Sequence, residues 1–279
     1  MARIRTKAGP ELPDLPSGAK KLLRVLAQPG PYQVLRGDLG LIGVPGVVLA
    51  PTTGLGLPAV AFGHDWLQSP NRYLPLLRHL ASWGFVAAAP GSHRGPMPSH
   101  ARFSADLRTA LDVCVGVRLG DGAISVDRRR LALVGHGMGG GCAVLAAADH
   151  EVAAVVTLAA AETRPSAVEV ARGLTIPSLH LAAGKDQVAP VTAGALPLAE
   201  AWGGPVLLRT LPKAVHLGFL SGKALIDGLL AGSTHGKTLK LAKALLTGFL
   251  LYEVLGERSV EELVHGGVKG TELTLRRTG

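Results

Sequence analysis

The chain has 279 residues, 47% hydrophobic and 18% charged, with a formal net charge of +9. A chain this long and this apolar buries a sizeable core, which excludes global disorder and fits one α/β unit. Its positive charge is scattered over Arg3, Arg5 and Lys7, Arg128–Arg130, and Arg276 and Arg277, with no aromatic-and-basic stripe, so no specific nucleic-acid partner is expected.

In chain order, residues 1–30 are rich in Pro and Gly and are expected to be a loosely packed extension, with a short helix at Leu22–Ala27. Residues 31–279 are expected to form one domain. From Tyr32 onward, short apolar runs alternate with longer helical ones, the pattern of a mostly parallel sheet with helices on both faces. Strands are expected at Val44–Ala50, Ala59–Phe62, Val86–Ala89, Leu131–Val134, Ala153–Leu158, Ser178–Ala182 and Val206–Leu211. Several are continuous apolar runs, as buried parallel strands are. Helices are expected at Arg72–Trp83, Ser104–Arg118, Met138–Asp149, Ala193–Trp202 and Lys237–Leu255, with a short one at Val260–Val264. Arg128–Arg130 and Asp227–Lys237 read as surface loops.

The cysteines, Cys114 and Cys142, fall in helices expected to be buried, where a thiol packs as a small hydrophobe. Two isolated cysteines make no disulfide framework. The first residues carry charge without a following apolar stretch, so no secretory signal is expected. No run is long and uncharged enough to span a membrane; Ala244–Leu255 is short and holds Glu253. A cytoplasmic protein without a cofactor is the expectation, and the sequence gives no oligomeric state.

The segment Leu131-Ala132-Leu133-Val134-Gly135-His136-Gly137-Met138-Gly139-Gly140 is the most informative. An apolar strand meets a tight Gly-rich turn and then a small-residue helix. Its glycines also fit the dinucleotide pattern G-x-G-x-x-G. That motif belongs in a first βα unit with an acidic residue after the next strand, and neither holds here. The pattern fits a nucleophile elbow, G-x-S-x-G, with Gly135 and Gly139 at the outer positions and Gly137 in place of serine.

The segment resembles the GHSMGG elbow of α/β-hydrolases, nearest to the branch of dienelactone hydrolases, chlorophyllases and cutinase-like polyester hydrolases. The resemblance runs over residues 45–255 and implies the α/β-hydrolase fold. Pro58–Trp66 resembles the family's oxyanion strand and loop, which implies that the backbone N–H groups of Trp66 and Met138 form an oxyanion hole. Trp83–Pro90 resembles the next strand. The family's acid follows a strand in a G-x-D loop, here Gly184-Lys185-Asp186, and its histidine follows the last strand, here His216. This is the Ser…Asp…His order of the fold, and it assigns Asp186 and His216 as acid and base around Gly137. A turn aspartate or a backbone-satisfied loop histidine would be the plain alternatives.

Glycine has no atom that can attack a carbonyl, so the covalent serine route is closed. Asp65 is a second departure, replacing the glycine beside the oxyanion hole; its side chain is expected to point to solvent. His64, Asp65 and His136 are possible pocket residues. His64, His93 and His136 have no metal-ligand spacing, and no metal is expected. Ser92 and Ser99 lie in a loop near the site without a supporting motif, and Cys142 is expected to face packing. Leu158–Glu162 holds no aromatic clamp, which speaks against polymer substrates. Three functions stay open: an ester-hydrolase relative with lost or reduced activity, an enzyme using a His–Asp dyad as general base, and a module binding a small molecule or partner.

Overall fold

The computed structural model describes residues 9–221 and 234–278. Among them, β1 (Val34–Asp38), β2 (Gly46–Pro51), β3 (Gly54–Gly63), β4 (Val86–Pro90), β5 (Ile124–His136), β6 (Ala154–Leu158), β7 (Ser178–Ala183), β8 (Val206–Leu211) and β9 (Glu272–Arg277) form one sheet. Their order is β1-β2-β4-β3-β5-β6-β7-β8-β9. The six central strands are parallel; β2 runs against β4, β1 against β2, and β9 against β8. This is the mostly parallel, doubly covered sheet expected of an α/β-hydrolase.

The strands expected from apolar runs are β2 to β8. Because both faces of the sheet are covered, successive residues point into different cores. Val60 and Phe62 of β3 pack on one side, and Ala59 and Ala61 on the other. The edge strands β1 and β9 were not expected. Their side chains are mostly exposed, so no apolar run marks them. Arg128–Arg130, expected as a loop, lies within β5, because residues 124–126 extend the strand's pairing with β3 across register shifts. The arginines stay near solvent there, and Asp127 pairs with Arg129 at 3.0 Å.

On one face of the sheet lie α1 (Ala19–Leu26), α2 (Leu74–Ser82), α7 (Thr234–Leu255) and α8 (Glu261–His265). On the other lie α3 (His100–Gly116), α4 (Met138–Ala147), α5 (Ala167–Ala171) and α6 (Ala195–Ala201). The five-residue α5 escaped sequence reading because it is shorter than the helical period needs. Most of Asp227–Lys237, expected as a loop, lies outside the described residues; from Thr234 the chain is already α7. Cys114 and Cys142 are buried and unpaired, and burial pushes both thiols up to about 12. No helix among the described residues is long and apolar enough to cross a membrane.

The expectation of a loose N-terminal extension fails for its described part, residues 9–30. Leu22 and Leu26, one turn apart on α1, are fully buried against α7. Tyr32 Oη donates to the carbonyl of Glu11 at 2.7 Å, which fastens the approach to the helix. Leu26→Ala is therefore expected to cost about 2–5 kcal/mol in urea unfolding, where a loosely attached segment would show almost no change.

Candidate active site

β5 leaves the sheet at His136, and α4 begins at Met138. Between them Gly137 has φ 53° and ψ −121°, a conformation that strains any residue with a side chain. The turn is held on both sides: Gly137 N–H donates to Leu158 O, and Gly137 O accepts from Gly140 and Ala161, all at 3.0 Å. Gly135 and Gly139 are glycines because their backbones touch; a Cβ on either would strike main-chain atoms of the neighbouring segment.

Asp65 follows β3 by two residues and does not point to solvent. It is buried, and its carboxylate reaches into the turn. Oδ1 accepts the Met138 backbone N–H at 2.9 Å. Oδ2 lies 3.0 Å from His216 Nε2. A Cβ at position 137 would overlap this carboxylate. The sequence expectation fails because an ionised side chain next to a helix N-terminus and a histidine is better satisfied there than in an uncovered loop.

His216 opens a short 3-10 turn after β8, His216–Phe219. Its Nδ1 lies 2.7 Å from Asp186 Oδ2. Asp186 Oδ1 in turn accepts the backbone N–H groups of Val188 and Ala189, each at 2.8 Å, so the loop after β7 fixes the carboxylate. The imidazole thus sits between two carboxylates. Burial disfavours its charge, but the hydrogen bonds to Asp186 and Asp65 outweigh burial and raise its pKa to about 9. Burial likewise disfavours ionised Asp65, yet the bond from His216, the neighbouring imidazoles and the Met138 amide hold its pKa at about 2. Near neutral pH Asp65 is a carboxylate and His216 an imidazolium.

His136, just before the turn, is fully buried, and burial lowers its pKa to about 4. The neutral ring has one N–H. Nε2 faces the carbonyl of His216 at 3.0 Å, so Nε2 carries the proton and Nδ1 accepts. The Nδ1 partner is Tyr73 Oη at 2.8 Å, which itself accepts the Asp65 backbone N–H at 3.1 Å. One chain of donors and acceptors therefore joins the backbone of Asp65 to that of His216. Tyr73 lies where a short 3-10 turn, Pro70–Tyr73, meets α2. No motif marks it, and sequence reading missed it.

His64 is buried, with its ring nitrogens 2.8 Å from the carbonyls of Asp65 and Ser92. Burial lowers its pKa. A neutral ring has one N–H, so it donates to one of these two carbonyls. Ser92 Oγ donates to Asp106, and Ser99 Oγ caps α3 by accepting the Arg102 N–H at 3.3 Å, so neither hydroxyl touches His216. Cys142 packs in the core, as expected. Of the two amides expected in an oxyanion hole, that of Met138 donates to Asp65. Trp66, which follows Asp65, is 48% exposed, and its indole N–H donates to Pro96 O at 3.2 Å.

Asp65, His136 and His216 bring three potential metal-ligand atoms within 4.8 Å of one another, a cluster that spacing along the chain did not suggest. The three nitrogens and oxygens facing inward are already engaged by Tyr73, by backbone groups and by each other. A cation would have to displace those bonds and the His216 proton.

Residues 27–203 match the PET hydrolase-like family, more than half of the chain. The chain belongs to that family. It is a polyester hydrolase family of the α/β-hydrolase superfamily, so the protein is ester-hydrolase-like by descent. The matched span includes Asp65, Gly137 and Asp186 and ends before His216. No curated protein matches the chain.

The charged row makes stability depend on pH. The raised pKa of His216 gives stabilisation that is complete below its ordinary 6.5 and lost as pH rises through about 9. The lowered pKa of Asp65 gives stabilisation that is complete above its ordinary 3.8 and lost as pH falls through about 2. The urea midpoint is therefore expected to fall between about pH 6.5 and 9, and D65N should flatten that slope. An equal slope in wild type and D65N would contradict the charged pairing.

Proposed function

We propose that this family member has lost serine-based ester hydrolysis and keeps its site as an Asp65–His216–Asp186 row. The observation that carries the reading is the overlap of the Asp65 carboxylate with the space of any side chain at Gly137. A serine enzyme needs three things here: a hydroxyl on the turn, a free Nε2 to take its proton, and open amides for the oxyanion. Gly137 removes the first. Asp65 occupies the second through Oδ2 and fills one amide of the third through Oδ1.

The same contacts count against a His216–Asp186 dyad acting as general base in the resting protein. A base needs an unprotonated Nε2, and two carboxylates hold the proton on. As for ligand, Leu158–Glu162 carries no aromatic side chain to clamp an extended aromatic chain, which favours a small molecule over a polymer. Two buried, unpaired thiols support a reducing, cytoplasmic setting.

Serine at position 137 alone cannot restore the lost chemistry, because its Cβ and Asp65 compete for one space. Wild type and G137S are both expected to resist a fluorophosphonate probe and to leave short-chain p-nitrophenyl esters unhydrolysed. D65G/G137S is expected to take the probe at position 137 and to exceed both by at least ~100-fold in ester turnover. Wild-type turnover abolished by His216→Ala would overturn the proposal.

A further inference from the structure

We infer that Asp65 is itself a nucleophile, attacking the saturated carbon of a small alkyl electrophile whose leaving group is a weak base, such as a halide. The inference rests on the reading of a site without serine chemistry, and deepens it. It starts from what the carboxylate touches. One oxygen lies 2.9 Å from a backbone amide at the start of α4, and the other 3.0 Å from an imidazole backed by a second carboxylate at 2.7 Å. These are the contacts a covalent carboxylate mechanism needs: a fixed nucleophile, a donor for its carbonyl oxygen, and an oriented histidine for the second step. Stability does not account for the row, since two buried carboxylates and one imidazolium gain little over apolar side chains of similar volume. Asp65 is also the accessible end. Its side chain is 9% exposed, that of His216 5%, and that of Asp186 is fully buried. Trp66 and Leu67, the next two residues along the chain, are half exposed.

The leaving group decides the substrate class. A carboxylate attacking an ester carbonyl would have to expel an alkoxide, a far stronger base than itself. Displacing a halide from saturated carbon carries no such penalty. In the first step an Asp65 oxygen forms a bond to carbon, the carbon–halogen bond breaks, and the halide leaves with the electron pair. Asp65 becomes a neutral alkyl ester. The charge that held the proton on His216 Nε2 is then gone, and the proton passes to solvent. Neutral His216, still oriented by Asp186, takes a proton from water as that water attacks the Asp65 carbonyl carbon, with Met138 N–H donating to the developing oxyanion. Collapse releases the alkoxide, which takes the proton from His216 and leaves as the alcohol; the Asp65 carboxylic acid left behind passes its proton to His216 Nε2, which restores the carboxylate and the imidazolium. Overall, alkyl halide and water give alcohol, halide and a proton.

The test offers the full chain 1-bromoalkanes from bromoethane to 1-bromohexane. Wild type is expected to release bromide, and D65N to release none above buffer. H216Q should slow release by at least ~100-fold and accumulate one alkyl group on the peptide containing Asp65, read by mass spectrometry. A single turnover of wild type in ¹⁸O-water, which needs no variant to fold, is expected to place the label in Asp65 and not in the alcohol. No bromide release across the series, or label in the alcohol alone, overturns the inference. Neither result touches the proposal of lost serine chemistry, which the fluorophosphonate and p-nitrophenyl ester measurements decide separately.

Discussion

The contact between the Asp65 carboxylate and the turn at Gly137 is the constraint around which this site is arranged. A carboxylate cannot be buried without partners, and here it has two: an amide at the head of α4 and a protonated imidazole. Glycine at 137 is what makes the position available. The carboxylate in turn keeps His216 charged, and a charged His216 requires the second carboxylate at 186. Each departure from the serine pattern is intelligible only together with the other.

The backbone around this contact is held more firmly than its exposed neighbours. Glycine-to-glycine approaches fix the turn against β3, and Gly137 O accepts from both α4 and the segment after β6. Tyr73 and His136 connect the main chain of Asp65 to that of His216 by three hydrogen bonds. His64 lies between the carbonyls of Asp65 and Ser92 on the other side. Placing the carboxylate is thus a property of the whole top of the sheet, built from β3, β5, α2 and the loop after β8.

Much of this was readable in the amino-acid order, for physical reasons that differ by element. Strands β2 to β8 announce themselves because burial on both faces demands uninterrupted apolar runs. The edges β1 and β9 do not, since exposed side chains impose no pattern. The glycines at 135, 137 and 139 are informative because close backbone approach excludes every other residue. Asp186 and His216, named from their places after β7 and β8, lie 2.7 Å apart. The direction of Asp65 was not readable. Its partner is 151 positions away, and a lone aspartate in a loop has no local signal. The clue lay in joining two oddities, an added carboxylate and a missing side chain. Tyr73 had none, because its role depends on a hydroxyl reaching two backbone neighbourhoods at once.

Asp65 hangs from the loop after β3, whereas the amide and imidazole it satisfies belong to α4 and the turn after β8. Withdrawing that single side chain uncovers an anion-seeking N–H and liberates a basic nitrogen in the same movement. By linkage, whatever stabilises one of these exposed groups also promotes the appearance of the other. An anion settling on the amide takes the carboxylate's place beside His216 and keeps the imidazole charged, so alkaline conditions loosen the anion's hold.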